Sequence, residues 1–181
     1  MNRIAPAERP FPEDMEETLG KIMPPGVEPL LLFRVMAREP RLFRRFMAGA
    51  LLDKGTLSLR QREIAIDRTC ARCRAEYEWG VHVAFFGKRV GFGDTENRAI
   101  VNSGADEDCW SSSEKIIIRM MDQLHDSADI DDALWRDASK EFTESQLMEL
   151  IMLAGLYHMV SFMVKATRLP LESFGAHFPS A

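Results

Sequence analysis

Apolar residues in this 181-residue chain recur at three- and four-residue intervals, and no segment alternates apolar with polar residues convincingly. A strand buried on one face needs the alternation, whereas an amphipathic helix needs the longer interval, so the pattern predicts an all-α fold. The abundance of Leu, Met, Ala, Glu and Arg beside only two tyrosines points the same way. Helix starts are marked by their caps. Ser58 can cap a helix carrying Arg62, Glu63, Ile64 and Ile66, while Ser111 with Glu114 and Thr143 with Gln146 form capping-box signatures.

Punctuation divides the rest. Pro6, Pro10 and Pro12 predict an extended arm leading into a short helix that "PPG" at 24–26 must end. A helix near 28–38 stops before Pro40, and "PRLFRRFMAGALL" runs to about Leu52 and closes at "DKG", where Gly55 would take positive φ. A turn falls near Cys73–Glu76, and a second helix stacks Trp79, Val83, Phe86 and Val90 before Gly91 and Gly93 end it. The implied organisation is an N-terminal arm with a short helix over 1–27, one domain over 28–170 and a tail over 171–181. At this length a single domain with a full core is expected.

A net charge of −5 argues against a general nucleic-acid binder, but the charge is unevenly placed. Residues 34–62 carry eight basic residues against Glu39 and Asp53, so this window is +6 and the remainder is −11. Such a window is either a solvated face paired with acidic runs or a field that draws in small anions. Three cysteines without a regular framework indicate a reducing compartment, and the N-terminus lacks the apolar core of a signal peptide. The run Leu147–Val164 is interrupted by Glu149 and His158 and reads as a buried core helix rather than a membrane span. These features predict a cytoplasmic protein with no membrane partner.

The chemistry concentrates in "REIAIDRTCARCRAEYEWGVH", residues 62–82. Cys70 and Cys73 are one helical turn apart, but they fall late in a helix beginning near Ser58, where the dipole opposes thiolate formation. Arg68, Arg72 and Arg74 push the other way, so redox-active thiols and inert buried thiols both stand, and no second ligand pair at zinc-finger spacing accompanies them. Glu63 and His82 lie nineteen positions apart on consecutive helices expected to pack as a hairpin. Burial would raise the carboxylate pKa and lower the imidazole pKa, bringing both toward neutrality. Tyr77, Glu78 and Trp79 near the second helix start, and Tyr157 with His158 in the long apolar helix, are candidates to line the same pocket. Trp79 reads equally as core, and Trp110 as a plug for a neighbouring subunit.

"LSLRQREIAIDRT", "AEYEWGVHVAFFGKRVGF", the preceding "PRLFRRFMAGALL" and the later "LYHMVSFMV" closely resemble the carboxymuconolactone decarboxylase family, which includes the AhpD branch. The resemblance covers about residues 28–170. It implies an AhpD-like all-α helical bundle, homo-oligomeric as dimer, trimer or hexamer, with Glu63 and His82 as the catalytic pair. The AhpD pattern of Glu, eleven residues, CxxC, three residues and His, anchored on Glu63 and His82, puts the two family cysteines at Ala75 and Glu78. Cys70 and Cys73 lie five residues too early. The glutamate–histidine pair matches the decarboxylase branch, which keeps it without the thiols.

Three functions are therefore expected of such a chain. The first is acid–base chemistry by Glu63 and His82 on a small, anionic lactone or keto acid, with no bound organic cofactor or metal implied. The second is a thiol-dependent peroxidase using Cys70 and Cys73, with Glu63 and His82 relaying protons. The third is a non-catalytic oligomeric binding protein.

Overall fold

The computed structural model describes residues 2–180, and among these there are nine α-helices joined by short 3-10 and π turns, with no strand. In chain order they are α1 (Glu13–Ile22), α2 (Leu31–Met36), α3 (Pro40–Ala48), α4 (Leu59–Arg72), α5 (Glu76–Phe86), α6 (Asp94–Arg98), α7 (Ser112–Ser127), α8 (Asp132–Glu141) and α9 (Glu144–Ala166). The predicted caps operate: Ser58, Ser111 and Thr143 each accept a hydrogen bond from the backbone of the residue three positions on, and the side chain there returns the bond.

Helix α4 is the axis of the bundle, packed against α7, α9 and α5. Eight consecutive residues, Glu63 to Cys70, are buried, so no face of this stretch meets water. Its apolar members join Ile117, Ile118, Met120 and Met121 of α7 and Leu150 and Leu153 of α9 in the core. Its polar members need partners. Arg68 donates to both carboxylate oxygens of Asp122 at 2.7 and 2.9 Å and to the Ile100 carbonyl at 2.6 Å. That guanidinium fills the space a side chain at Gly104 would take: a Cβ there would stand 2.8 Å from Arg68 Nη2, and the backbone is left-handed at φ 73°.

The turn from α4 to α5 aims the two site-bearing helices at one another. It is a Schellman motif, with Ala75 N–H donating to the Cys70 carbonyl and Arg74 N–H to the Ala71 carbonyl. Arg74 holds the left-handed position at φ 52°, where glycine is the usual occupant. The Lys165 ammonium caps the freed Cys73 carbonyl at 2.6 Å.

Several boundaries differ from the sequence expectation. Helix α3 ends at Ala48 rather than near Leu52, and the left-handed residue is Leu51 at φ 49°, not Gly55. Gly55 is required for another reason: a Cβ there would stand 2.1 Å from Glu149 Oε1, on the carboxylate that accepts from Thr56 N–H. The N-terminal segment runs extended into α1, which ends before Pro24 as expected, and it packs on the common core through Phe11, Met15 and Leu19. Trp110 is buried in its own chain and donates to the Gly104 carbonyl at 3.0 Å, so it plugs no neighbour.

The C-terminal segment, expected as a tail, docks along α5. Ala176 N–H donates to the Gly80 carbonyl at 3.1 Å, Phe178 N–H to Glu76 at 2.9 Å, and Phe178 lies 5.1 Å from Trp79. Glycine at position 80 permits this approach, since a Cβ would stand 2.3 Å from the Ala176 carbonyl oxygen. Gly80→Ala should therefore expel the segment and cost about 1–3 kcal/mol of stability. Limited proteolysis should show cleavage after residue 170 in the variant under conditions that leave the parent intact.

Candidate active site

Glu63, on the second turn of α4, and His82, on the second turn of α5, meet across the helix hairpin. His82 Nδ1 lies 2.7 Å from Glu63 Oε2, and both groups are buried. The other ring nitrogen faces two partners: Nε2 is 3.1 Å from the Tyr157 hydroxyl of α9 and 3.5 Å from Glu78 Oε1, one turn back on α5. The Tyr157 ring meets the imidazole edge-on at 5.1 Å, and Phe86 packs 5.5 Å from it. All four polar side chains line a cavity of about 760 Å³, whose wall also holds Arg62 and Arg89.

Burial acts on His82 in the direction expected from sequence, lowering its pKa, but the outcome is reversed. The Glu63 charge and hydrogen bond, helped by Glu78, outweigh the loss of water and lift the imidazole to about 10. At neutral pH His82 is therefore an imidazolium, with both N–H groups donating, one to Glu63 and one toward Tyr157 and Glu78. Tyr157 is pushed well above its ordinary pKa by burial and by the Glu78 and Glu63 charges, so it stays a phenol. It can accept from His82 and pass its own proton onward.

Asp67 lies one turn beyond Glu63 and is fully buried. Burial and the Glu63 charge raise its pKa well above the usual carboxylate range. Three buried side-chain atoms beside the site, Arg62 Nη1, Asp67 Oδ1 and Glu78 Oε2, have no hydrogen-bond partner. Of these, Arg62 and Glu78 belong to residues on the cavity wall, where a bound molecule can satisfy them.

The other sequence candidates lie elsewhere. The Tyr77 hydroxyl accepts from Leu32 N–H at 3.1 Å and donates to Glu172 at 2.5 Å, on the tail side of α5 and away from the cavity. Trp79 is covered by Phe178, also outside it. Cys70 is fully buried in the core, where burial first and the Glu78 and Asp67 charges next push its thiol well above the usual value. His158 and Cys73 are together, but with His125 rather than with His82: His125 Nδ1 is 2.9 Å from His158 Nε2 and 3.8 Å from Cys73 Sγ. Tyr157 and His158, adjacent in sequence, thus serve different sites. Nothing local to their sequence distinguishes them. The contributions of Arg62 and Asp67 are equally hidden in the sequence, although both lie close to Glu63 along α4.

Four of the eight basic residues of the window, Arg34, Arg44, Arg60 and Arg62, pair with Glu8, Asp14, Glu114 and Glu149. None of these acids lies in the acidic runs "ADEDC" and "ADIDD", and of the four basic residues only Arg44 is well exposed. Of the basic residues in that window, only Lys54 and Arg62 line the cavity.

No protein-family model matches this chain, and no curated protein matches it in sequence. Solved structures do match in fold. A peroxidase-related protein from Silicibacter sp. superimposes with a TM-score of 0.82 at 14% identity, covering 98% of this chain and 96% of its own. A peroxidase-related protein from Ralstonia eutropha, described as having an alkylhydroperoxidase AhpD core, gives 0.76 at 14% identity over 96% and 95%. The debrominase Bmp8, as a cysteine-to-alanine variant in complex with 2,3,4-tribromopyrrole, gives 0.74 at 14% identity over 94% and 92%. The fold is AhpD-like, and the likeness at this identity concerns the fold alone.

The raised pKa of His82 has a measurable consequence for stability. The folded imidazole holds its proton more tightly than the unfolded one, so its contribution is complete below pH 6.5 and is lost as the pH climbs through about 10. His82→Gln should destabilise by about 3–5 kcal/mol at low and neutral pH, because Glu63 is left buried without its ion-pair partner. Denaturant titrations across the pH range should show the gap between parent and variant narrowing toward pH 10.

Proposed function

We propose that this protein is an enzyme that transfers a proton to a small organic acid, of the lactone or keto-acid class, held in the cavity between α4, α5 and α9. The observation that carries the reading is the 2.7 Å His82–Glu63 hydrogen bond in the wall of a cavity that no cysteine lines among the described residues. Arg62, whose Nη1 makes no hydrogen bond and stands 3.7 Å from Glu149, would turn that nitrogen to the carboxylate of such a substrate. The resemblance of residues 28–170 to the carboxymuconolactone decarboxylase family, whose decarboxylase branch keeps the glutamate–histidine pair without the thiols, supports the same class.

The chain's own groups fit the acid half of the reaction. When a β-keto or lactone acid loses carbon dioxide, the bonding pair stays on the adjacent carbon as an enolate. A proton must then arrive. His82, protonated at neutral pH, delivers it directly or through the Tyr157 hydroxyl, which takes the Nε2 proton as its own leaves. Glu63 holds the ring and stabilises its charge before transfer.

A second reading is favoured by the peroxidase-related names of two fold neighbours: a thiol-dependent peroxidase using Cys70 and Cys73. The burial of Cys70 and the 3.8 Å approach of His125 to Cys73 would put that chemistry outside the cavity. The oligomer is a further part of the proposal. Met148, Ile151, Met152 and Phe162 form an exposed apolar stripe on α9, the one helix among the described residues long and apolar enough to cross a membrane. Its opposite face is buried against α4, and we assign the exposed stripe to a second copy of this chain.

A panel of lactone and keto acids tests the main reading. His82→Ala and Glu63→Gln should lower kcat by about 10²–10⁴ while the helical spectrum is kept. The parent rate should be level through neutrality and fall as pH passes about 10, the His82 value, rather than turn near 6.5. Turnover of no member, with peroxide reduction that Cys70→Ser/Cys73→Ser abolishes, would establish the thiol reading instead. For the assembly, sedimentation should show Phe162→Glu shifting an oligomer to monomer; a parent that is already monomeric would refute the α9 contact.

A further inference from the structure

Beyond the cavity, three helices place a second set of chemically competent side chains together. Cys73 closes α4, His125 lies in the last turn of α7, and His158 lies in the middle of α9. Cys73 Sγ, one nitrogen of His125 and one of His158 all lie within 4.8 Å of one another. None of the three lines the cavity, and Cys73 is ten residues along α4 from Glu63, about 15 Å at the helical rise.

We propose that Cys73, His125 and His158 form a binding site for a zinc-type divalent cation, with a fourth position open to water. Four observations support it. The donor set is one thiolate sulfur and two imidazole nitrogens, the combination that borderline-soft ions prefer over calcium or magnesium. The spacing fits: zinc–sulfur and zinc–nitrogen bonds of about 2.3 and 2.0–2.1 Å place tetrahedral ligand atoms roughly 3.3–3.6 Å apart. The observed separations of 2.9 and 3.8 Å fall either side of that range.

The third observation is the tautomer of His158. Its Nδ1–H donates to the Ala154 carbonyl at 2.8 Å, one turn back on α9, so Nε2 carries the lone pair and points at the cluster. A backbone carbonyl holding the far nitrogen is the arrangement that orients metal-ligating histidines. The fourth is access. His125 and His158 are only half-buried, while Asp122 and Asp126 near His125 are already paired with Arg68 and Arg72 and leave the site open to an incoming ion rather than drawing one in. The sequence could not display this set, because its members are 52 and 33 residues apart and no short motif contains them.

A bound ion would tie the C-terminal ends of α4 and α7 to α9, and it would occupy the sulfur that the thiol reading needs. Metal binding and Cys73 reactivity are then mutually exclusive, which gives a readout independent of any enzyme activity.

The test uses the full chain, freed of metal by chelation and dialysed. Titration with cobalt(II) should saturate at one equivalent, giving the visible bands of tetrahedral cobalt with a thiolate-to-cobalt charge-transfer band. Zinc should displace it. Zinc should also slow alkylation of Cys73, mapped by mass spectrometry, without protecting Cys109. Cys73→Ser should abolish the charge-transfer band, and His125→Asn, at a half-exposed ring, should weaken binding by more than about tenfold with helix content unchanged. The proposal is overturned if binding does not saturate, or if Cys73→Ser and His125→Asn leave it intact. It is equally overturned if Glu63→Gln removes the binding, which would place the ion among the buried Glu63, Asp67 and His82 groups.

Discussion

A helix with no solvent-facing side must account for every polar group it carries, and α4 carries Glu63, Asp67, Arg68 and Thr69 within its eight buried positions. Each answer to that requirement shapes the protein. Arg68 reaches Asp122 and the Ile100 carbonyl, fastening α7 and the α6–α7 connection to the axis. Thr69 returns its hydroxyl to the Ala65 carbonyl. Asp67 is pushed toward its neutral form by burial and by the Glu63 charge. Glu63 takes a cationic partner from the next helix. An ion pair buried this deeply contributes little net stability relative to apolar packing of the same volume, because desolvation offsets the attraction. In the function proposed above, the pair serves instead to hold a proton at a fixed point on the cavity wall.

The same requirement explains why His82 differs from an isolated buried histidine. Removing water alone would leave the ring neutral, whereas two carboxylates within 3.5 Å reverse the sign. The number of nearby charges therefore decides whether this ring is an acid or a base, and the sequence marks Glu63 as its partner and Glu78 as a group able to orient it. Glu78, one turn back on the same helix, is visible in the sequence as a neighbour but not as a contributor to the ring's charge.

The features legible in the sequence are those that short range controls. The capping boxes at Ser58, Ser111 and Thr143 are written in four residues each, and the structure places helix starts at all three. The Glu63–His82 spacing survives because the helix hairpin between them is itself local, closed by one Schellman turn. Features set by distant chain are not legible. Gly55 reads as a turn glycine, yet its constraint is the Glu149 carboxylate 94 positions on. The docking of Ala176 and Phe178 on α5 depends on a bare Cα at Gly80, which resembles any helix-weakening glycine until the partner segment is seen.

Tyr157 and His158 are two neighbours mounted on one rigid rod. Successive residues of a helix project about 100° apart, so α9 offers a phenol to the His82 imidazole on one side and an imidazole to the His125–Cys73 pair on the other. Neither can be adjusted alone. A roll of α9 that lengthened the first contact would swing the second through the same angle, so the two clusters are geared to a common shaft and must tolerate, or resist, its motion together.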